Sequence, residues 1–520
     1  MRNLPLAFLA TLFSALLTGA ARAQEAATPM GIDQKINQIF ADYTGWYVGF
    51  IFAPIPGTDF SWIAMWLVIG ALVFTFYFGF IQFRGFAHSI ALVKGDYSNP
   101  DDAGEVSHFQ ALATALSGTV GLGNIAGVAV AVGIGGPGAT FWMIVAGLFG
   151  MATKFTECTL GVKYRNEYPD GTVSGGPMYY IVKGFEERGL PAGKVMAVIF
   201  CIFTILGALG GGNMFQANQA HAQIAGVFGD FPGWITGVIL AAITFAVIAG
   251  GLKSIARVTE KIVPFMGIFY VVVSILILLL NFDQIGWAFG QIFAGAFTGL
   301  GVAGGFTGAL IQGFRRAAFS NEAGIGSAAI AHSAVRTKEP VTEGYVALLE
   351  PFIDTVVICT MTALVIVITG VLNQDPETGL YIWNAEAGRI ATDGGVSGVE
   401  LTSLAYAQEF SWFPILLMVA VVLFAFSTMI SWSYYGLKAW TYLFGEGAAK
   451  ELVFKTIFCI FIVIGAAASL GPVIDFSDAM LFSMAIVNII ALYLLMPIVK
   501  GELSRYIGKL RSGEIQKFKG

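Results

Sequence analysis

The chain has 520 residues, 56% hydrophobic and only 12% charged, with a mean hydropathy of +0.76 and a formal net charge of −5. A soluble protein carries about 25% charged residues, so this composition predicts an integral membrane protein and excludes a soluble enzyme or a nucleic-acid binder. The four cysteines (Cys158, Cys201, Cys359, Cys459) sit in apolar stretches without metal-ligand spacing, and no cofactor is expected.

Residues 1–23 have a basic start at Arg2, an apolar run from Leu4 to Leu17 and the small-x-small sequence Ala21-Arg22-Ala23. That pattern predicts a cleaved secretory signal, with an uncleaved anchor as the alternative. Residues 24–59 are polar and amphipathic and are expected along the outer surface, anchored by Trp46 and Tyr47. Eleven apolar spans follow, at 60–83, 108–132, 140–161, 194–223, 233–250, 262–280, 285–314, 346–372, 412–442, 452–470 and 474–500. Each is long enough to cross about 30 Å of hydrocarbon. With an outside start, only Lys35 and Arg389 of the 28 Lys and Arg fall outside beyond the signal, and 24 lie inside or at inner helix ends. The positive-inside rule therefore supports this count and places the tail, 501–520, in the cytoplasm. The expected location is the inner (plasma) membrane. The acidic loop 373–411 is long enough to fold over an outer vestibule.

The second span carries SGTVGLGNIAGVAVAVGIGGPG at 117–138. Glycine costs about 1 kcal/mol against alanine in a helix interior, and in hydrocarbon every backbone group needs a partner. A glycine-rich break at 118–124 is tolerable where its amides and carbonyls line a cavity, which suits a small zwitterion and a cation. The loose GLGNIAG fingerprint has no preceding strand, which argues against a dinucleotide site. The seventh span, with AGAFTGLGVAGGFTGALIQG, is again glycine-rich and runs in the opposite direction. The pair predicts an all-α secondary transporter: one peripheral helix plus a 5+5 inverted repeat, 107–281 and 284–500, each repeat opening on a discontinuous helix. Close packing of small residues is the alternative reading of such glycines.

GGPGATFWMIVAGLFG at 135–150 resembles the signature of the sodium:alanine symporter family, the alanine or glycine:cation symporters, with Thr140 and Ile144 departing from the pattern. SNEAGIGSAAIAHSA at 320–334, EPFIDTVVICTMTAL at 350–364 and STMISWSYYG at 427–436 are similar to the same family. The resemblance covers about 85–500. It implies an inverted-repeat core like that of the neurotransmitter:sodium symporters, with 120–124 as the first broken helix. It further implies sodium-coupled symport of a small neutral amino acid, alanine or glycine, by alternating access. A proton-coupled symporter, with Asp354 or Glu350 as carrier, and a channel are the rivals.

Within this frame the amides of Gly121, Leu122 and Gly123, beside Thr119, are candidates for the substrate carboxylate at a positive helix end. Asn124 either caps the outer half-helix or takes the cation or carboxylate. The carbonyls of Ser117 and Val120 are free if the helix unwinds, and Ser427 and Thr428 could add hydroxyls. The resemblance implies that these four form a sodium site; back-bonding to the preceding turn is the alternative for the two hydroxyls. Trp432, one turn beyond Thr428, either shortens the pocket or belongs to the interface belt. In the polar cluster Asn213, Gln216, Asn218 and Gln219, Gln216 is the candidate substrate contact. The second break is expected at 298–301 or 303–306, with Gly304, Gly305 and Phe306 offering carbonyls to the substrate ammonium. Glu350 and Asp354 share one helix face. They are expected to pair with Arg315 or Arg316 as an inner gate, with direct cation binding as the alternative. Glu157 is expected to be structural. Asn321 and Glu322 are expected in the cytoplasmic connection.

Overall fold

Helix α1, Ile32–Ile51, packs along the last long helix, where the Tyr47 hydroxyl meets Ser483 Oγ at 2.6 Å. The computed structural model describes residues 32–517 except 59, 100–101, 170 and 299–304. The predicted signal at 1–23 lies outside them. Helix α2, Trp62–Tyr77, is shorter than the span expected at 60–83, because Gly79 and Phe80 take left-handed conformations (φ 60° and 58°) and turn the chain.

Helix α3, His108–Thr119, opens on a capping box: Ser107 Oγ accepts from Gln110 N at 3.2 Å, and Gln110 Oε1 accepts from Ser107 N at 3.1 Å. It stops at Val120, whose ψ of 84° is not helical, and the chain resumes as α4, Gly123–Gly135, bent by 52° from α3. The predicted first break is therefore present. There follow α5 (Gly138–Lys163), α6 (Pro177–Glu187), α7 (Gly193–Phe228), α8 (Gly233–Ile248), α9 (Gly251–Leu280) and α10 (Ile285–Thr298). Then come α11 (Gly305–Asn321), α12 (Ser327–His332), α13 (Pro340–Ile368), α14 (Val399–Glu409), α15 (Phe413–Phe444), α16 (Ala448–Ala467) and α17 (Leu470–Ser512). Six described helices, α5, α7, α9, α13, α15 and α17, are long and apolar enough to cross a membrane, and the bent pair α3–α4 adds a seventh crossing. Helix α17 continues past the expected end at 500, burying Leu503 and Tyr506, so most of the expected tail is helical.

The position expected for the second break, 298–301 or 303–306, falls largely on 299–304, outside the described residues; α10 ends at Thr298 and α11 begins at Gly305. Helix α11 then runs unbroken to Asn321, and a further turn follows at 322–326. There Glu322, Gly324 and Gly326 all have positive φ (57°, 87° and 90°). A Cβ on Gly326 would meet Pro177 Cγ at 2.6 Å, so both its conformation and its neighbours demand glycine.

Polar contacts distinguish the two ends of the bundle. At one, Arg165 donates to the carbonyls of Ala103, Ser333, Val335 and Thr337, Lys163 pairs with Glu502 at 2.7 Å, and Lys509 with Glu339 at 2.6 Å. This is the basic end. At the other, α14 and the loop before it cover α4 and α7: Thr402 Oγ1 donates to Ile125 O at 3.1 Å, and Val399 N to Gln219 Oε1 at 2.9 Å. Helices α3–α4 run away from the basic end and α11–α12 run toward it, so the two breaks meet antiparallel in the middle.

Candidate functional site

Where the breaks meet, ten residues enclose a small cavity of about 10 Å³. Gly118, Thr119 and Gly123 come from the α3–α4 break, Gly211 from a wide turn at Gly210–Met214 in α7, and Gln216 from the regular helix just after it. Phe319 comes from the end of α11 and Glu322 from the turn after it, Thr428 and Trp432 from α15, and Leu481 from α17. Such a volume admits about one water, so the site is closed around nothing larger in this conformation.

Close approach of α15 and α7 depends on Gly121, where a Cβ would stand 2.3 Å from Thr428 Oγ1 and 3.1 Å from Gln216 Oε1. The break's own donors are already engaged. Gly121 N donates to Asn124 Oδ1 at 2.9 Å, and Leu122 N to Gln216 Oε1 at 3.0 Å. Asn124 thus ties the unwound segment back onto the start of α4. Its Nδ2 also donates to Asp354 Oδ1 at 2.6 Å, away from the cavity. Gln216 Nε2 donates to Gly211 O at 2.9 Å, so this amide bridges both irregular segments.

Glu322 is the only carboxylate among the lining residues. Its Oε1 accepts from Trp432 Nε1 at 2.9 Å and its other oxygen from Ser327 Oγ. Trp432 is 1% exposed and lies against Gly212, so it bounds the pocket and is not an interface-belt residue. Beside the cavity, Ser117 Oγ donates to Ser427 O at 2.8 Å, and Thr428 Oγ1 donates to Ser117 O at 3.1 Å. Ser427 Oγ donates to Phe424 O at 3.0 Å, the back-bonding that is the alternative to a cation for it, but Thr428 reaches across to α3. Val120, 2% exposed, lies at the end of α3 between these groups and the break.

The predicted residues therefore divide. Thr119, Gly123, Gln216, Thr428 and Trp432 line the cavity, and Ser117, Val120, Gly121, Leu122, Asn124 and Ser427 surround it. Gly304 lies outside the described residues. Gly305 and Phe306 open α11 well away from the cavity; Phe306 is 39% exposed and packs on Trp142 at 5.6 Å. Gly211, Phe319 and Leu481 carry no expectation from the sequence, Gly118 belongs to the expected break without a role of its own, and Glu322 is expected in the cytoplasmic connection. For Glu322 a signal existed: one acid followed by glycines at 324 and 326 is a helix break carrying a charge.

The expected gate pairing does not form. Arg315 bonds Asp478 at 2.7 Å and Asp475 at 3.3 Å, and Arg316 bonds Asp478. These pairs lie on the far side of the cavity from the basic end, because α11 is a full helix here and places both arginines before the turn at 322–326. Along α17 the order is Ile474, which lines a second cavity of about 400 Å³, then Asp475 and Asp478, then Leu481 in the small cavity. Arg389 and Thr392 line the larger cavity, so the 373–411 loop covers a vestibule as expected. Glu350 instead meets Lys154 Nζ at 2.8 Å and His332. Asp354 accepts from Ser320 Oγ at 2.8 Å and Thr355 Oγ1 at 2.7 Å, besides Asn124. Glu322 and Asn321, expected in a cytoplasmic connection, are buried at the centre.

A sequence profile described as the sodium:alanine symporter family matches residues 51–520. The chain is 40% identical to "Sodium/alanine symporter AgcS" of Methanococcus maripaludis, over 86% of this chain and 94% of that protein. It is 31% identical to "Amino-acid carrier protein AlsT" of Bacillus subtilis, over 89% of this chain and 93% of the relative. Among solved structures, MhsT in complex with L-phenylalanine shares the fold, with a TM-score of 0.52 at 14% identity, covering 76% of this chain and 89% of MhsT.

Proposed function

The chain belongs to the sodium:alanine symporter family, and we propose that it carries alanine or glycine into the cell together with sodium, the substrate zwitterion sitting between the two helix breaks. The observation that carries this reading is the cavity with Glu322 on one side and the α3–α4 break on the other. Glu322 takes the substrate ammonium. The carboxylate takes the amides of the break as Asn124 and Gln216 release them, a positive helix end being the natural seat for an anion. Phe319, Trp432 and Leu481 leave room for a small side chain only. Sodium is held by the carbonyls of Ser117 and Val120 with the hydroxyls of Ser427 and Thr428, which clamp α15 to α3. Because the same break holds both solutes, one stabilises the site for the other. One bundle of helices, drawn from both repeats, rocks against the rest, with the basic end in the cytoplasm and the N-terminus outside.

Removing one ligand of an ion costs about 1.5–3 kcal/mol. Thr428→Ala is therefore expected to raise the sodium concentration for half-maximal alanine binding by about tenfold or more, with alanine binding at saturating sodium largely kept. Binding of labelled alanine to the purified protein that persists unchanged when sodium is replaced at fixed pH would favour the proton-coupled rival. Trp432→Ala is expected to relax selectivity: inhibition of alanine uptake by leucine should strengthen by about tenfold or more, since pocket-filling contacts discriminate on that scale. Unchanged competition would place Trp432 outside the substrate's reach.

A further inference from the structure

Between the central cavity and the basic end lies a buried chain of charged groups that the reading above does not use. His108, the first residue of α3, meets Glu343 Oε2 through Nδ1 at 2.5 Å. Glu343 Oε1 meets His332 Nδ1 at 2.6 Å, and His332 Nε2 meets Glu350. All four side chains are almost fully buried. His332 thus faces a carboxylate with each ring nitrogen. A neutral imidazole has one N–H, so its second nitrogen would direct a lone pair at a carboxylate oxygen. The arrangement requires a proton held between His332 and its two carboxylates.

We propose that His332, Glu343 and His108 form a proton-held latch that keeps the half-helices α3 and α12 closed at the basic end, and that one proton leaves His332 for bulk water each time that end opens. The groups facing His332 fit this role. From α5, Lys154 neutralises Glu350 at 2.8 Å, Glu157 lies 4.0 Å from Lys154, and Cys158 Sγ lies within 4.8 Å of the His332 and Glu350 ligand atoms. Lys154 supplies the positive charge there, so this is an ion-pair cluster and not a metal seat. Just beyond α5, Arg165 holds the carbonyls of Ser333 and Val335. Tyr180 of α6 and Tyr435 of α15 are neutral hydroxyls, and Glu322 of the break is occupied by Ser327 and Trp432. Only His108 sits on the hinged segment before the 52° bend, so its bond to Glu343 is the link that an outward swing of α3 would break; that swing opens Glu343 and His332 to bulk water, which screens the carboxylates that hold the proton on His332.

A released imidazole has an ordinary pKa of about 6.5. The closed state binds one proton more than the open state above that pH, so raising pH favours opening by about tenfold per unit, and below it the dependence flattens. The inference rests on the transporter reading in that the basic end must open. Its test uses no transport assay, so the two can fail separately. Buried Cys158 reports opening directly. In the full-length purified protein, N-ethylmaleimide labelling of Cys158 is followed by mass spectrometry relative to half-buried Cys459, which corrects for the rise of thiolate with pH. The wild-type ratio is expected to climb from pH 6.5 to 8.5 by about tenfold per unit, up to the point where opening saturates. His108→Gln and Glu343→Gln should label about tenfold faster at pH 6.5 and lose the slope. A flat wild-type ratio, which needs no variant, or a slope that survives in His108→Gln, would overturn the latch.

Discussion

Glu322→Gln is expected to lower alanine affinity by about a hundredfold or more and to abolish measurable uptake at micromolar substrate. The carboxylate is 3% exposed and lines the cavity. Truncating one partner of a buried, hydrogen-bonded charge pair costs about 2–5 kcal/mol, and each 1.4 kcal/mol is a factor of about ten. Glutamine keeps an oxygen for Trp432 Nε1, so folding should survive and the loss should fall on binding. Elution as a single species with sodium binding intact, but without alanine binding, is the expected pattern. Alanine affinity within about threefold of wild type would remove Glu322 from the substrate site.

The second large effect is expected at Asp478. This residue is fully buried and accepts from both Arg315 and Arg316, and Arg316 is itself 2% exposed. Arg315 has Asp475 in reserve and stacks over Phe52 at 3.9 Å, but Arg316 pairs with no second carboxylate among the described residues. Asp478→Asn leaves its charge uncompensated, a loss of about 3–5 kcal/mol in the closed state. The purified variant should melt several degrees lower, and uptake should fall to about a tenth or less. Asp478→Asn with Arg316→Gln removes both charges and should recover most of the melting temperature, because a buried pair replaced as a unit is close to neutral. A double variant as unstable as the single one would mean that the pair is not the stabilising contact.

The sequence carried the fold well where its signals were physical constraints of the bilayer. The break at 118–124 was legible because several adjacent glycines in an apolar span have no packing explanation as good as a cavity. At 294–313 the same signal is mixed: 299–304 lie outside the described residues, and Gly295 and Gly313 serve close approach, since a Cβ on Gly313 would meet Ala139 O at 2.6 Å and one on Gly138 would meet Gly295 C at 2.1 Å. The turn at 322–326 has only two glycines and reads as a polar connection, so its sequence points to a cytoplasmic loop and not to the buried centre where it lies. That reading displaced Arg315 and Arg316 as well. Once α11 is seen to run to Asn321, both arginines lie before the break and their partners must be sought on α17, where Asp475 and Asp478 had drawn no attention. Ser117, Thr119, Gln216, Thr428 and Trp432 were legible because each polar or bulky group stands in an apolar helix that offers it no lipid-facing role. Phe319 and Leu481 were not, since nothing distinguishes a pocket-lining apolar residue from a packing one without the neighbours.

The central claim is that an inward sodium gradient drives the substrate uphill through this site. It is tested most directly by labelled alanine uptake into proteoliposomes that carry the full chain, with sodium outside, none inside, and no pH gradient. The account predicts transient accumulation above the external concentration, collapsing when the sodium gradient is dissipated. Accumulation that never exceeds the external level, or that persists with sodium absent from both sides, would contradict it.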